Sequence, residues 1–273
     1  MFKIISNEKI APAIFKMELV APLVAKKARA GQFVIIRINE RGERIPLTIA
    51  ERDSKNITIV YQVVGVTTDR LKNMKSGEDI LDIVGPLGHA TDVKKIGTVY
   101  CVGGGVGIAE LFPVVKAYKS SGNRVKVIAG AKNKELVIYK KELKEACDEM
   151  FISTDDGSEG EKGFVSDILR RSIDSGEKID LVYAVGPAIM MKAISDLTRP
   201  HKIKTMVSLN TVLVDGTGMC GSCRIELEGG TKFACVDGPE FDAHKVNFEE
   251  LMARQTLFKV QERHACKLRG LVP

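Results

Sequence analysis

Hydrophobic and polar positions change their period twice along the chain. Up to about residue 95 the apolar residues come in short, β-branched, partly alternating runs, and residues 32–38, 57–64 and 79–84 each read as a strand. The period of two is plain in Ile57-Thr58-Ile59-Val60-Tyr61. Pro22, Gly31, Gly42, Gly65, Gly77 and Gly85-Pro86 punctuate these runs. Short strands at this spacing predict an antiparallel barrel. One short helix is expected after Thr67, with Leu71 and Met74 on its inner face.

From Gly97 the pattern alternates between strand and helix. Strands are predicted over residues 98–102, 124–129, 150–154 and 181–185, with helices over 106–118, 135–146, 165–175 and 188–197. Ile108, Leu111, Phe112, Val115 and Tyr118 carry the helical spacing of the first of these helices. Strand, crossover and strand in repetition predict a doubly wound α/β parallel sheet with helices on both faces. The last ~70 residues lose the rhythm and hold short strands, glycines and cysteines, with a hairpin turn expected at Gly229-Gly230. The division expected is a barrel over residues 1–95, an α/β unit over 96–205, a small cysteine-bearing module over 206–250 and a helical tail over 251–273.

Composition narrows the class. A chain of 273 residues has room for about two domains plus a small module. With 44% hydrophobic and 28% charged residues it fits an ordinary soluble protein with a sizeable core. A net charge of +6 raises nucleic acid, membrane surfaces and acidic partners as possibilities. Lysine and arginine are interleaved with acids, however, and basic runs stop at pairs such as Lys140-Lys141 and Arg170-Arg171, which speaks against nucleic acid. The apolar run at residues 181–191 spans only 11 residues and contains Gly186 and Pro187, too short for a bilayer. Residues 1–10 lack the apolar core of a signal peptide, so a cytoplasmic location is the expectation.

Cysteine spacing carries the most specific chemistry. Cys101, Cys147 and Cys266 are scattered, whereas Asp215, Cys220, Cys223 and Cys235 are separated by four, two and eleven residues. Plant-type [2Fe–2S] sites use C-x4-C-x2-C with a distant fourth cysteine, and this spacing is the same with Asp215 in first place. Sulfide-bridged iron takes soft thiolates, and glycines let the loop wrap closely. A structural zinc site uses similar ligands but ordinarily pairs two short knuckles, of which one is present. For Asp215 the alternative to ligation is an aspartate capping its own turn.

A second signal is the glycine-rich turn Val102-Gly103-Gly104-Gly105-Val106-Gly107-Ile108, between a predicted strand and helix. Glycines there allow backbone amides to approach a pyrophosphate at a helix N-terminus. The strict G-x-G-x-x-G is absent, and a tight turn of any α/β fold would look alike. Thr154-Asp155-Asp156-Gly157 and Val185-Gly186-Pro187-Ala188-Ile189-Met190 also follow predicted strands, so all three segments fall at the carboxyl edge of the sheet. Asp155 or Asp156 suits sugar hydroxyls, or caps its turn.

Together these residues resemble the ferredoxin–NADP reductase superfamily, across nearly the whole chain. Arg44-Ile45-Pro46-Leu47-Thr48 resembles its flavin motif, Val60-Tyr61-Gln62-Val63-Val64-Gly65-Val66-Thr67-Thr68 its second flavin segment, and Gly85-Pro86-Leu87-Gly88 the end of its barrel. Gly103 to Gly107, with Gly186, Pro187 and Met190, are similar to its nicotinamide-nucleotide motifs. The family's motif places arginine three residues before the hydroxyl residue. Here Ile45 holds that place and Arg44 stands one residue earlier. The cysteine module points to the branch that contains electron-transfer subunits of dihydroorotate dehydrogenase and of NADH-dependent reduced ferredoxin:NADP+ oxidoreductase. The former would carry cysteine where Asp215 stands.

The resemblance implies FAD, a [2Fe–2S] cluster held by Asp215, Cys220, Cys223 and Cys235, and NAD(H) in preference to NADP(H). It implies Thr48 beside the flavin's reactive nitrogen, and phosphate contacts from Thr67 and Thr68. It also implies a larger partner subunit carrying further flavin and [4Fe–4S] clusters, with ferredoxin reached through that partner, in an electron-bifurcating complex. The residues after the second strand of the sheet, Gly130 to Lys134, decide nothing between NAD and NADP. Three rivals stay open: a dihydroorotate dehydrogenase electron-transfer subunit, a stand-alone NAD(P)H–ferredoxin or flavin reductase, and a redox sensor that is not an enzyme.

Overall fold

A computed structural model describes residues 1–268 and 270. The end of the expected tail, residues 269 and 271–273, lies outside the described residues. The chain opens with β1 (Phe2–Ala11), β2 (Ile14–Val20), α1 (Pro22–Lys27), β3 (Phe33–Arg37), β4 (Ile45–Arg52), β5 (Asn56–Gln62), α2 (Val66–Asn73), β6 (Asp79–Ile80) and β7 (Asp82–Leu87). The strands form a seven-stranded sheet in the order β6-β1-β2-β5-β4-β3-β7, antiparallel throughout. It curls into a nearly closed barrel around Met17, Leu19, Ile36, Ile57, Ile59 and Tyr61. Alternation places Tyr61 inside this core, where its hydroxyl donates to Asn7 Oδ1 at 2.9 Å.

The α/β unit follows as β8 (Thr98–Gly104), α3 (Gly107–Ser120), β9 (Arg124–Ala131), α4 (Lys140–Ala146), β10 (Glu149–Thr154), β11 (Glu161–Lys162), α5 (Val165–Asp174), β12 (Leu181–Val185), α6 (Ala188–Thr198) and β13 (Thr205–Ser208). A hairpin of β14 (Arg224–Leu227) and β15 (Gly230–Phe233) then leads through the short helix α7 (Ala234–Asp237) to β16 (Glu240–Asp242). Helices α8 (Phe248–Arg254) and α9 (Lys259–Lys267) complete the chain.

The second sheet runs β11-β10-β9-β8-β12-β13-β16. Its strands are parallel except β16, which pairs antiparallel with β13. The sequence predicted neither β13 nor β16. Each is four residues or fewer, too short to show a period. Along β12, Tyr183 and Val185 face the α3 side and Val182 and Ala184 the α5–α6 side, so both faces are covered. Ile14, Ala50 and Val60 of the barrel share the α3-side core, while Phe33 and Ile35 share the other with Cys223, Ile225 and Cys235. Barrel, sheet and cysteine module are thus joined by continuous apolar packing.

Two sequence expectations shift. The helix predicted over residues 135–146 begins only at Lys140, because Tyr139 adopts φ 55° and buries its ring while its hydroxyl donates to Glu51 Oε1 at 2.7 Å. Burial of Ile138 and Tyr139 outweighs local helix preference. The hairpin turn falls at Glu228-Gly229, since Leu227 pairs with Gly230. Among the described residues no helix is long and apolar enough to cross a membrane.

Candidate functional site

The chain winds outward from β8 through β9 to β10, then returns to place β12 on the other side of β8. Ligands of open α/β sheets bind at such a reversal, beyond the carboxyl ends of the strands. Gly103 pairs with Val185 there, so the turn Gly103–Gly107 and the turn Gly186-Pro187 emerge side by side. The approach is close enough to demand glycine. A Cβ on Gly107 would lie 2.7 Å from the Val185 carbonyl oxygen, and one on Gly104 would lie 2.5 Å from Met190 Sδ and 3.2 Å from Pro187 Cδ. The sequence motifs Gly103, Gly104, Gly105, Val106, Gly107, Gly186, Pro187 and Met190 are therefore brought together. The first turn of α3 opens beside them, its Ile108 and Ala109 amides donating to the Gly105 and Val106 carbonyls at 3.2 and 3.0 Å.

Thr48 reaches this region from the barrel. It lies on β4, where Pro46 and Leu47 pair with Ile35 and Val34, and its hydroxyl donates to Glu110 Oε2 at 3.0 Å. Glu110 stands in the first turn of α3, and burial raises its carboxyl above the ordinary range. Arg44 is exposed at the rim.

The second flavin segment divides. Val60 packs toward the α3 side and Tyr61 into the barrel, leaving Gln62 exposed at the end of β5. Gly65 caps α2. Thr68 Oγ1 accepts from the amides of Val64 and Gly65 at 3.0 and 3.1 Å, closing the turn. The Thr67 hydroxyl donates to the Glu43 carboxylate, so an acidic side chain sits where an anion is favoured at a helix N-terminus. Asp155 and Asp156 are exposed after β10, and Asp156 Oδ1 accepts from the Ser158 amide at 2.9 Å and its hydroxyl at 2.6 Å. The Ser158 hydrogen bonds hold Asp156 below the usual carboxylate range. Asp156 thus caps its own turn.

In the cysteine module Cys223 and Cys235 are buried with their sulfurs 3.3 Å apart. Burial, then each other's proximity, pushes the Cys235 thiol up. Asp215 Oδ1 accepts from the Thr217 amide at 2.7 Å and Oδ2 from the Cys220 amide at 2.9 Å. Cys220 is exposed, with Sγ 3.0 Å from Ser222 Oγ. Two of the four expected ligands are therefore in contact, while Asp215 and Cys220 engage their own loop, and among the described residues no three His, Cys, Asp or Glu side chains converge on one point. The donor chemistry nonetheless fits an iron–sulfur group. Two buried thiols meet at contact distance, and the loop carrying the other two donors wraps past them with Gly216, Gly218 and Gly221 at positive φ. Arg254 of α8 holds this loop by donating to the Ser222 carbonyl at 2.8 Å.

Comparison with known proteins agrees with this layout. Residues 210–247 match the iron–sulfur cluster binding domain of dihydroorotate dehydrogenase B, and residues 101–196 match the oxidoreductase NAD-binding domain. The electron transfer subunit of dihydroorotate dehydrogenase B (NAD(+)) from Enterococcus faecalis is 35% identical over 90% of this chain and 97% of its own length. The chain belongs to the dihydroorotate dehydrogenase B electron-transfer subunit family. A Thermotoga maritima homologue of that subunit is 45% identical over 96% of this chain and 93% of its own. A solved structure of NADH-dependent reduced ferredoxin-NADP oxidoreductase, determined in work on flavin-based electron bifurcation, superposes with a TM-score of 0.93 at 43% identity, covering 100% of this chain and 98% of that one.

As a member of this family, the chain is an oxidoreductase with an NAD-binding and an iron–sulfur-binding domain on the FAD-binding ferredoxin–NADP reductase fold. Sequence reasoning missed Glu110, Glu43 and Glu240. Glu110 had a readable signal, being the lone charge in the otherwise apolar run from Gly107 to Val115. Glu43 had none, because its partner lies 24 positions away.

Proposed function

We propose that this electron-transfer subunit exchanges hydride between NAD(H) and FAD and relays single electrons through a [2Fe–2S] cluster to a larger subunit bearing flavin and [4Fe–4S] clusters. The complex is an electron-bifurcating NADH-dependent ferredoxin:NADP+ oxidoreductase. The likeness over the whole chain to a structure of that enzyme supports this reading most directly. Asp215 in the first ligand position supports it over the dihydroorotate branch. That second reading is favoured by the names of relatives such as the Enterococcus faecalis subunit.

The proposed relay assigns the residue roles. The turn Gly103–Gly107 and Gly186-Pro187 bind the nucleotide, with Met190 closing one wall and Asp155 and Asp156 at the sugar end. Arg44, Pro46, Leu47, Thr48, Val60, Tyr61, Gln62, Gly65, Thr67 and Thr68 form the flavin seat. Within it Thr48 orients its hydroxyl at the hydride site under the control of Glu110. Asp215, Cys220, Cys223 and Cys235 hold the cluster. When bound, the flavin accepts a hydride and releases electrons singly, which lets one chain join two-electron to one-electron chemistry. The protein's residues position the nucleotide over the flavin and exclude water.

Isolating the tagged chain anaerobically from its native cells tests the partner. A stoichiometric larger subunit with flavin and [4Fe–4S] clusters is the expected result. Co-isolation of a flavin enzyme that oxidises dihydroorotate decides for the second reading, and a monomer that turns over at full rate with soluble acceptors contradicts both.

A further inference from the structure

The strand that follows the cysteine module brings a half-buried carboxyl to the point where all three parts of the chain meet. Glu240 opens β16, five residues after Cys235. Its Oε1 accepts from Thr91 Oγ1 at 2.5 Å and from the Tyr183 hydroxyl at 2.8 Å. Thr91 belongs to the segment joining barrel to sheet, and its amide donates to the Ala30 carbonyl at 2.9 Å. Tyr183 lies mid-strand in β12 and is buried. The notch is tight, since a Cβ on Gly31 would collide with both Glu240 Oε1 and Thr91 Oγ1.

The same seam joins the loop that ends the barrel to the cysteine module. The His89 amide donates to the Gly238 carbonyl at 2.6 Å and the Leu209 amide to the Pro239 carbonyl at 2.9 Å. A Cβ on Gly88 would lie 2.7 Å from Pro239 Cδ. The loop that ends the barrel therefore touches, with no gap, the backbone leading from Cys235. We propose that Glu240 is a positioning residue that pins this seam and thereby fixes the spacing between the flavin site and the cluster.

The surroundings of Glu240 favour a neutral carboxyl. The ionisable groups that act on it or feel it are Asp92 beside Thr91, Tyr183 on β12, Cys101 on β8 and Tyr118 on α3, all of them acids. Glu110 of α3 acts on Tyr183 from the other side. Lys94 pairs with Asp92 at 2.6 Å on the exposed surface, and among the described residues no cation pairs with Glu240. Burial raises the Glu240 pKa above the usual value, while the hydrogen bonds from Thr91 and Tyr183 favour the charged form. Both hydroxyls donate to Glu240, so the two bonds can form whether or not the carboxyl carries a proton. Electron relay slows as the distance between two redox sites grows, and a pinned seam holds that distance.

The pin's consequence for relay rests on the function proposed above; the pin itself does not. Hydrogen–deuterium exchange on the purified full chain, read as protection of the His89, Thr91 and Leu209 amides, tests it with or without cofactors. In the wild type and in Glu240→Gln, whose amide oxygen can accept the same two bonds, these amides should be protected, and Glu240→Ala should lower that protection about tenfold or more. Anaerobic stopped-flow reduction of the cluster by NADH should rank the three proteins in the same order. Full protection in Glu240→Ala, or protection lost in Glu240→Gln, overturns the proposal. So does protection that changes while cluster reduction does not. If NADH reduces no cluster at any pH, the relay reading fails instead, and the exchange profiles alone decide the pin.

Discussion

Thr48 on the barrel and Glu110 on the first helix of the α/β unit are joined by a 3.0 Å hydrogen bond, so the barrel and the α/β unit meet in a polar contact there. The hydroxyl is held by a residue 62 positions away rather than by its own strand. Removing the carboxyl in Glu110→Ala leaves that hydroxyl without its partner, at a cost of about 1–3 kcal/mol. Because burial raises the Glu110 pKa, its favourable contribution is present at low pH and lost as pH rises through the raised value. Glu110→Gln should therefore flatten the fall in stability as pH rises through that raised value, measured as Tm against pH. An unchanged slope would contradict the assignment.

The crossing of the two nucleotide turns should be intolerant of a single methyl group. Gly107→Ala places a Cβ 2.7 Å from the Val185 carbonyl oxygen, a backbone atom that cannot turn aside. We expect about 1–3 kcal/mol of destabilisation in urea titration, with NADH affinity by calorimetry reduced about tenfold or more.

Glu43 should compete with the flavin phosphates for the α2 N-terminus, since its carboxylate accepts the Thr67 hydroxyl hydrogen. Glu43→Gln removes a like charge from an anion seat, so the flavin-free protein should bind FAD about threefold to tenfold more tightly in fluorescence titration. The gain should shrink with added salt.

The contacting thiols should be indispensable for iron. Cys223→Ser or Cys235→Ser should lower bound iron and the cluster's visible absorbance to background, while far-ultraviolet dichroism of the α/β unit persists. Asp215→Cys should retain iron and move the cluster's reduction potential. An unchanged potential would leave Asp215 as a loop cap only, the role its bonds to the Thr217 and Cys220 amides already perform.

Most of the architecture was legible where the period was long enough to read. The strand–helix rhythm after Gly97 located the parallel sheet, and alternation at Ile57–Tyr61 located the barrel. The short strands β13 and β16 and the break at Tyr139 depend on long-range packing and leave no local pattern. The same holds for the site. Glycine turns, cysteine spacing and the lone charge of Glu110 in its apolar run are local signals, whereas Glu43 and Glu240 gain meaning only from partners at distances of 24 and 149 positions.

The central claim is a relay from nicotinamide through flavin to cluster within one chain. The most direct test is to purify the chain anaerobically, assay FAD, iron and zinc, and record the visible spectrum before and after NADH. The account predicts one FAD and a [2Fe–2S] cluster per chain, both bleached by NADH. Flavin without iron, or zinc in place of iron, would contradict it and leave a simple reductase or a structural metal site.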